Sequence, residues 1–400
     1  MKQFTSVLLL LLTITPCLMA QKTKVKSVRQ ELSQARSYVK SGNYDAAEGL
    51  MTKLLKDSAN RQDIRIYLTW YDAVRGKYNQ GNEKLYLKQK YDTTAFFSNV
   101  QKMFQILETL DSLDMRPDKR GRVNPAYRMR HAAQLNIVRP NLFNGGTFLL
   151  RKNKWKEAYS YFETYLDCAR QPLFTDFAYD SIDGRMPEAA YWATYCGYKM
   201  SEASLTLRYH DLALRDSSRA QFTLQYIAEA YRWLNDEESY LTTLREGFRR
   251  YPEFPYFFPR LSDAYTSKGQ YELALAVADS ALAVNDSNVL FLFAKSSTLL
   301  RMERYSECIE WTTRLLAIND SLSEPYFNIG TAYLNMASAM DMRKDKQLMN
   351  AAYQNARFYF ERYRAMMPEE KQKWAPALYR IYLNLNMGKQ FDEIDRLLKK

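Results

Sequence analysis

The sequence predicts an all-α protein made of stacked helical hairpins, and an internal repeat is the main reason. The stretch Ala283-Val-Asn-Asp-Ser287 returns as Ala317-Ile-Asn-Asp-Ser321, and Tyr271 returns as Tyr305, so both pairs are 34 residues apart. A fixed period of this length is typical of helix pairs that are each too small to bury their apolar face alone. Neighbouring pairs must therefore stack, which predicts a helical solenoid.

Residues 1–20 have the pattern of a signal peptide. Lys2 precedes a short apolar run from Val7 to Leu12, and Ala20 supplies a small residue before the polar segment that starts at Gln21. No other stretch approaches the roughly 20 apolar residues that a membrane-spanning helix needs. We therefore expect an exported protein, periplasmic or envelope-associated, whose mature chain begins at Gln21.

Residues 21–138 form the first predicted region, which is helical but irregular. Residues 28–61 match one hairpin, whereas residues 62–113 keep a helical pattern and leave the 34-residue register. Met115 to Pro125 is a basic, turn-rich insertion. We expect helices here that are not clean repeats.

Residues 139–400 form the second predicted region, an array of repeats. The register returns at 139–172, and a loop from Gln171 to Pro187 then precedes a degenerate unit at 187–220. Three further repeats run without a gap and anchor the prediction: 221–254, 255–288 and 289–322.

The array ends irregularly. The unit that starts at residue 323 is interrupted by Met336 to Ala352, which contains no Gly or Pro and therefore predicts two lengthened helices rather than a loop. Residues 375–400 end in Leu-Leu-Lys-Lys and predict a final helix pair whose outer face stays polar, as in a cap.

The units resemble tetratricopeptide repeats (TPR). Small and aromatic residues fall on the family's signature positions, for example Ala228 and Tyr231, with Pro252 at the end of the unit. Segments such as Asn82 to Tyr91 and Tyr191 to Tyr198 further resemble secreted TPR proteins of unassigned role in Gram-negative bacteria. The resemblance covers nearly the whole mature chain. It implies a TPR-type solenoid, a right-handed superhelix with irregular insertions, whose concave groove holds peptides or partner proteins.

The resemblance also nominates a partner-binding groove. In TPR units the first helix lines the groove, chiefly through positions 2, 5, 9, 12 and 13. In this chain these positions are rich in aromatic and arginine side chains: Phe222, Gln225, Arg232, Trp233, Tyr256, Phe293, Arg301 and Phe327, together with Glu229, Asp263 and Asn335. The chaperone-binding subgroup has a lysine at position 5, where this chain has Gln225, Pro259, Phe293 and Phe327. An extended or helical peptide is therefore expected rather than a bare carboxylate.

Arg232 and Trp233 are the leading hot-spot hypothesis within this groove. A rigid aromatic beside a guanidinium is the composition of interface hot spots. The other interpretation is that Trp233 closes its hairpin turn and packs inward, in which case its loss lowers stability rather than affinity.

The charge balance points to acidic partners. The net charge of the whole chain is +12. Lys2 is the only charged residue in the predicted signal peptide, so the mature chain stays strongly basic. One cluster is the basic insertion, which contains a single acid, Asp118, and six cations: Arg116, Lys119, Arg120, Arg122, Arg128 and Arg130. It predicts contact with anionic lipid headgroups or acidic polysaccharide, and a solvated charge run is its alternative. Export makes nucleic acid an unexpected partner.

Three aromatic residues outside the repeat register motivate a rival function. Phe174, Phe177 and Tyr179 lie in the long loop and, with the basic excess, suggest a carbohydrate-binding or cell-wall-associated accessory protein. The alternative is that this loop tucks down as a lid on the array.

No pattern of residues predicts catalysis. The chain has only two histidines, His131 and His210, and lacks zinc-site, P-loop, dinucleotide and nucleophile-elbow motifs. After signal removal three cysteines remain, Cys168, Cys196 and Cys308, of which the first two are open to pairing. We therefore predict a non-catalytic, cofactor-free and metal-free exported scaffold or adaptor that mediates protein–protein interaction in the cell envelope.

Overall fold

A computed structural model describes residues 27–399, and the helical prediction is confirmed over that range. The chain forms 21 α-helices and three short 3₁₀ helices there, without any β-strand. None of the helices found between these bounds is long and apolar enough to cross a membrane. The predicted signal peptide at 1–20 lies outside the described residues.

The chain divides into two compact units. Unit 1 contains residues 27–145 and 167–177 of the described chain, and unit 2 contains 146–166 and 178–399. The chain passes between them within α6 (Pro140–Leu150) and α7 (Trp155–Asp167). The other helices of unit 1 are α1 (Val28–Lys40), α2 (Tyr44–Leu54), α3 (Ile64–Tyr86), α4 (Thr93–Asp114) and α5 (Arg128–Val138). The 3₁₀ helices are Ser58–Asn60, Cys168–Arg170 and Pro172–Phe177.

Unit 2 continues with antiparallel helical hairpins. Its helices after α7 are α8 (Tyr179–Ile182), α9 (Met186–Lys199), α10 (Ala203–Leu207), α11 (His210–Ala213), α12 (Ala220–Trp233), α13 (Glu237–Arg250), α14 (Phe257–Ser267), α15 (Tyr271–Val284), α16 (Val289–Arg301), α17 (Tyr305–Ile318), α18 (Ser323–Ala339), α19 (Lys346–Met366), α20 (Lys371–Asn384) and α21 (Gly388–Leu398).

Unit 1 begins with a well-capped hairpin. The Ser27 hydroxyl accepts the Gln30 backbone N–H, and the Gln30 side chain accepts the Ser27 N–H, which forms a capping box that starts α1. Leu32, Ala35 and Met51 then bury their side chains between α1, α2 and α3. The following helices α3 and α4 contain 23 and 22 residues, which explains why the repeat register is lost in this segment.

The hairpin turns confirm the repeat register. Backbone φ is positive every 34 residues at Ser201, Asn235, Gly269 and Glu303. In each turn the next N–H reaches the carbonyl five residues earlier, for example Gln270 to Tyr265 at 2.9 Å. This is the bond of a Schellman helix end, and it satisfies a carbonyl that the finished helix leaves open. The second helix of unit 187–220 is nevertheless broken into α10 and α11, which accounts for its weak sequence match.

The lengthened helices predicted after residue 323 are present. α18 has 17 residues and α19 has 21, so the extra sequence is absorbed mainly by helix. Ala356, Phe360 and Tyr363 of α19 pack with Trp374 and Leu378 of α20 in one buried cluster. This cluster is the core of the C-terminal end of unit 2.

Candidate peptide-binding cleft

Three consecutive first helices of unit 2 line an open cleft of about 540 Å³. They are α14, α16 and α18, and we call this site the first-helix cleft. Pro259, Phe293 and Phe327 occupy the same position in three successive units, so the repeat itself brings one apolar residue from each helix to the same wall.

Buried side chains pack behind the apolar floor formed by Phe293 and Phe327. The Phe327 ring lies 5.6 Å from the Phe360 ring at 87° and 5.3 Å from the Tyr363 ring. Phe293 is half-buried and packs against a cluster that includes Phe258 and Leu315. Edge-to-face ring contacts of this kind favour one orientation, so the floor presents a preformed surface.

Two charged residues at the cleft carry no ion pair among the residues the structure describes. Asp263 comes from α14 and Arg301 from the end of α16, and both are exposed. In contrast, Glu324 accepts a hydrogen bond from Lys373 Nζ at 3.0 Å. Asn328 Nδ2 donates to Ser297 Oγ at 3.0 Å and is nearly buried. One carboxylate, of Asp263, and one guanidinium, of Arg301, are therefore available to bind a ligand.

The structure brings together only part of the predicted groove. The cleft is lined by four of the predicted groove residues, Asp263, Phe293, Arg301 and Phe327. None of the predicted residues on α12 lines it. Phe222 is 38% exposed and its ring meets Phe254 edge-on at 5.3 Å, and Gln225 is half-buried. Leu290 was missed, although it occupies position 2 of its unit and is 44% exposed at the cleft.

The structure corrects the prediction that Tyr256 lines the partner-binding groove, because Tyr256 is a core residue. It is only 5% exposed, and its hydroxyl donates to Glu229 Oε1 at 2.9 Å. The Arg260 guanidinium lies 3.9 Å from the centre of its ring. Burial, followed by the nearby Glu229 charge, raises the pKa of the Tyr256 phenol well above its ordinary value. Tyr256 therefore stabilises the array rather than offering a surface to a partner.

Arg232 and Trp233 also have partners within unit 2. Arg232 Nε donates to Glu229 Oε2 at 2.7 Å, so its charge is balanced by a buried carboxylate. Trp233 is half-buried and stacks on Tyr198 with the ring centres 5.9 Å apart and an angle of 18°. Tyr198 in turn stacks on Tyr226 at 4.5 Å. The stacking of Trp233 on Tyr198 supports the interpretation that Trp233 packs inward. The ion pair with Glu229 weakens the hot-spot hypothesis, because that hypothesis needs an unpaired Arg232 guanidinium.

The basic insertion between α4 and α5 neutralises part of its own charge. Asp118 accepts hydrogen bonds from the backbone N–H groups of Arg120 and Arg122 and from the Arg122 guanidinium. The backbone bonds are the main reason that the pKa of Asp118 lies below its ordinary value. Arg128 pairs with the buried Asp111 through two bonds of 2.7 and 2.9 Å.

Other cations of the insertion stay exposed. They are Arg116, Lys119 and Arg120, while Arg130 lies 5.7 Å over the Tyr127 ring. The six-cation surface of the sequence prediction is therefore smaller than expected.

The loop aromatics are packed rather than displayed. Phe174 is 2% exposed and lies 5.9 Å from the Phe104 ring in unit 1. Tyr179 is buried within unit 2, and Phe177 is half-buried. The Phe174 contact is with α4 of unit 1 and not with the repeat array, so it does not show the predicted lid. The burial of Phe174 and Tyr179 also weakens the argument that these rings stack on sugars.

The three cysteines and His131 are buried. Cys168, Cys196 and Cys308 are buried, and burial raises the pKa of the Cys196 thiol to about 12. Burial, then the neighbouring Arg130 charge, lowers the pKa of His131 to about 4. Between residues 27 and 399 there is no group of three or more His, Cys, Asp or Glu side chains that could hold a metal ion.

Comparison with known proteins adds likenesses of fold only. No protein-family model and no curated protein matches the chain. One similar solved structure is the C-terminal part of a TPR repeat-containing protein from Cytophaga hutchinsonii, with 11% identity, covering 63% of this chain and 92% of that chain at a TM-score of 0.45. The P58(IPK) TPR domain has 14% identity, with 90% and 98% covered and a TM-score of 0.28. Yeast Tom70 has 13% identity, with 90% and 89% covered and a TM-score of 0.35.

The fold of the described chain is of the TPR type. This assignment rests on the chain's own geometry, namely antiparallel hairpins whose turns recur every 34 residues with the same backbone conformation. Within this class, unit 2 carries the regular repeats and unit 1 contains one repeat followed by longer helices.

Proposed function

We propose that this protein is a non-catalytic scaffold that binds a segment of a partner protein in the first-helix cleft. The observation that carries the proposal is the combination of an apolar floor, packed from behind, with two unpaired charges of opposite sign, Asp263 and Arg301. A TPR-type fold by itself names no ligand, so the argument depends on these residues.

Each part of the cleft supplies a different component of recognition. Burial of about 100 Å² of partner apolar surface over Phe293 and Phe327 contributes about 2.5 kcal/mol. Asp263 and Arg301 set the direction of the bound segment, because charges at a rim select a complementary partner more than they add affinity. We expect a segment with apolar side chains flanked by one basic and one acidic residue.

We further propose that the protein acts after export, in the periplasm or at the envelope. The support is the sequence pattern of Lys2, the apolar run from Val7 to Leu12, and Ala20. N-terminal sequencing of native protein is expected to start at or near Gln21. An intact Met1 on protein recovered from the cytoplasm would contradict export while leaving the cleft proposal standing.

Photo-crosslinking in the native cell locates the partner on the protein. A photoreactive amino acid replaces Leu290 in the first-helix cleft, and the matched control replaces Leu383, an exposed leucine of α20. A partner that is captured from position 290 and not from 383 identifies the bound segment. Equal capture from both positions would count against the cleft.

Affinity measurements with the identified segment then test the two components. Phe293→Ala and Arg301→Glu are expected to weaken binding, the first by about 30-fold, because truncating a hot-spot residue costs about 2 kcal/mol. The controls are Phe222→Ala and Arg380→Glu, which change the same residue types outside the cleft. Unchanged affinity in both cleft variants, with an intact melting transition, would exclude this cleft as the main binding surface.

A further inference from the structure

A second cleft lies in unit 1 and differs in chemistry from the first-helix cleft. It has a volume of about 520 Å³ and is lined by α1 and the first turn of α3. Four of its seven lining residues are cations and two are serines: Arg29, Arg36, Lys40, Arg65, Ser33 and Ser37. We call it the arginine cleft. Its lining contains no carboxylate.

Helix geometry explains the convergence of these side chains. Residues three, four or seven positions apart lie on one face of an α-helix. Arg29, Ser33, Arg36, Ser37 and Lys40 follow that spacing, while Leu32 and Ala35 of the same helix pack into the core. The stripe therefore points away from the core, and α3 adds Arg65 beside it.

Three of the four cations of the arginine cleft have no ion-pair partner within 4 Å in the described chain. Arg65 is held by Asp63 through bonds of 2.7 and 2.9 Å. Arg29, Arg36 and Lys40 make no ion pair with any residue of the described chain. Like charges gathered in a concave site focus the field and attract counter-ions.

Asp63 lies beside the arginine cleft. The Arg65 hydrogen bond is the main reason that the pKa of Asp63 lies below its ordinary value, and the charge of Arg36 acts in the same direction. Arg36 therefore lies close enough to Asp63 for their charges to interact.

We propose that the arginine cleft binds a phosphate-bearing group, with Arg29, Arg36 and Lys40 as its cationic ligands and the hydroxyls of Ser33 and Ser37 as further donors. Guanidinium groups match phosphate oxygens in pairs, and a lysine adds a point charge. Three cations without an ion pair suit a phosphate dianion better than they suit a singly charged carboxylate. The volume leaves room for a headgroup-sized molecule around the phosphate.

Two sources of the phosphate are separated by the probe. Glycerol 3-phosphate in solution tests a free phosphorylated molecule, and vesicles of phosphatidic acid in phosphatidylcholine test a lipid headgroup. Binding to either probe supports the proposal. Binding to only one of them identifies the phosphate as that of a soluble molecule or that of a lipid headgroup. Absence of binding to both at low ionic strength would overturn it.

Variants of the whole chain assign the binding to the cleft. Arg36→Gln with Lys40→Gln is expected to lower affinity at least tenfold, because it removes two charged hydrogen-bond donors. The matched control, Arg343→Gln with Lys344→Gln, removes the same charge from the exposed segment between α18 and α19 of unit 2. The affinity of this control variant is expected to stay within about twofold of the parent's, because exposed charges far from the cleft are screened.

Arg36→Lys distinguishes paired recognition from simple charge. Lysine keeps the positive charge but lacks the planar guanidinium, so we expect an affinity between that of the parent and that of the Arg36/Lys40 variant. All substituted residues are exposed, and an unchanged melting transition confirms that each variant is folded. Wild-type affinity in the Arg36/Lys40 variant, or an equal loss in the control, would overturn the assignment.

Discussion

Replacing Gly197 with alanine is expected to destabilise unit 2, although alanine is the better helix former. Gly197 lies near the end of α9, where it faces the short helix α10. A Cβ placed there would lie 2.5 Å from the Thr206 backbone nitrogen and 2.8 Å from the Leu205 carbonyl carbon. Contacts this short require movement, and the obstructing atoms are backbone, so no side chain can rotate away.

The sign of the effect follows from two magnitudes. Alanine gains at most about 1 kcal/mol over glycine in a helix. Overpacking typically costs about 1–3 kcal/mol, and a backbone obstruction belongs at the upper end of that range. The expected net loss is therefore about 2 kcal/mol. Gly49→Ala is the matched control, since Gly49 is exposed in the middle of α2 and an added Cβ meets nothing within 4 Å.

Urea unfolding followed by helical circular dichroism measures both changes. The midpoint for Gly49→Ala is expected to rise, with a gain of about 1 kcal/mol in the free energy of unfolding of unit 1. The midpoint for Gly197→Ala is expected to fall. A Gly197→Ala variant as stable as the parent, in an experiment where Gly49→Ala is stabilised, would refute the close approach of α9 and α10.

Three further predictions concern the turn, the core and the pH dependence. Glu303→Gly is expected to add about 1 kcal/mol of stability by thermal unfolding, because Glu303 has φ +60° and a left-handed conformation costs other residues about that much. Glu310→Gly, within α17, should instead lose about 1 kcal/mol; a loss at both positions would contradict the turn geometry. Ala274 is fully buried, so Ala274→Leu should cost about 1–3 kcal/mol, and an unchanged melting temperature would mean that its packing is misassigned. Burial, then the Asp167 charge, raises the pKa of Glu108 to about 7. The folded state therefore holds this proton more tightly, and Glu108 lowers stability as pH rises from about 4.5 through 7. Glu108→Gln should remove that dependence between pH 5 and 8, and parallel pH profiles for parent and variant would contradict the raised pKa.

The repeat prediction succeeded because its signal is local in sequence. A hairpin turn needs one residue in the left-handed conformation and one small residue where helices approach, and both needs recur with the period of the unit. The predicted units at 221–254, 255–288 and 289–322 therefore coincide with the observed turns at Asn235, Gly269 and Glu303. The lengthened α18 and α19 could be foreseen for the same reason, since the sequence between them lacks helix breakers.

The predicted groove residues differ in exposure, because exposure depends on what packs on each side chain. Phe293 and Tyr256 both occupy groove positions of the repeat. Tyr256 is buried by Phe257 and Arg260 and is hydrogen-bonded to Glu229, whereas Phe293 remains at an open cleft. Position within a unit therefore predicted a face and could not predict which residues of that face are accessible.

The sequence by itself determined the all-α class, the 34-residue hairpin and the excess of positive charge. Only the tertiary structure decided where that charge is available. Arg122 and Arg128 of the basic insertion find carboxylates, one within the loop and one on α4, while Arg29, Arg36 and Lys40 gather unpaired at a cleft. The physical reason is that helix propensity and turn chemistry act between near neighbours in the chain. The potential at a site instead sums charges over all neighbours in space, which the fold alone brings together.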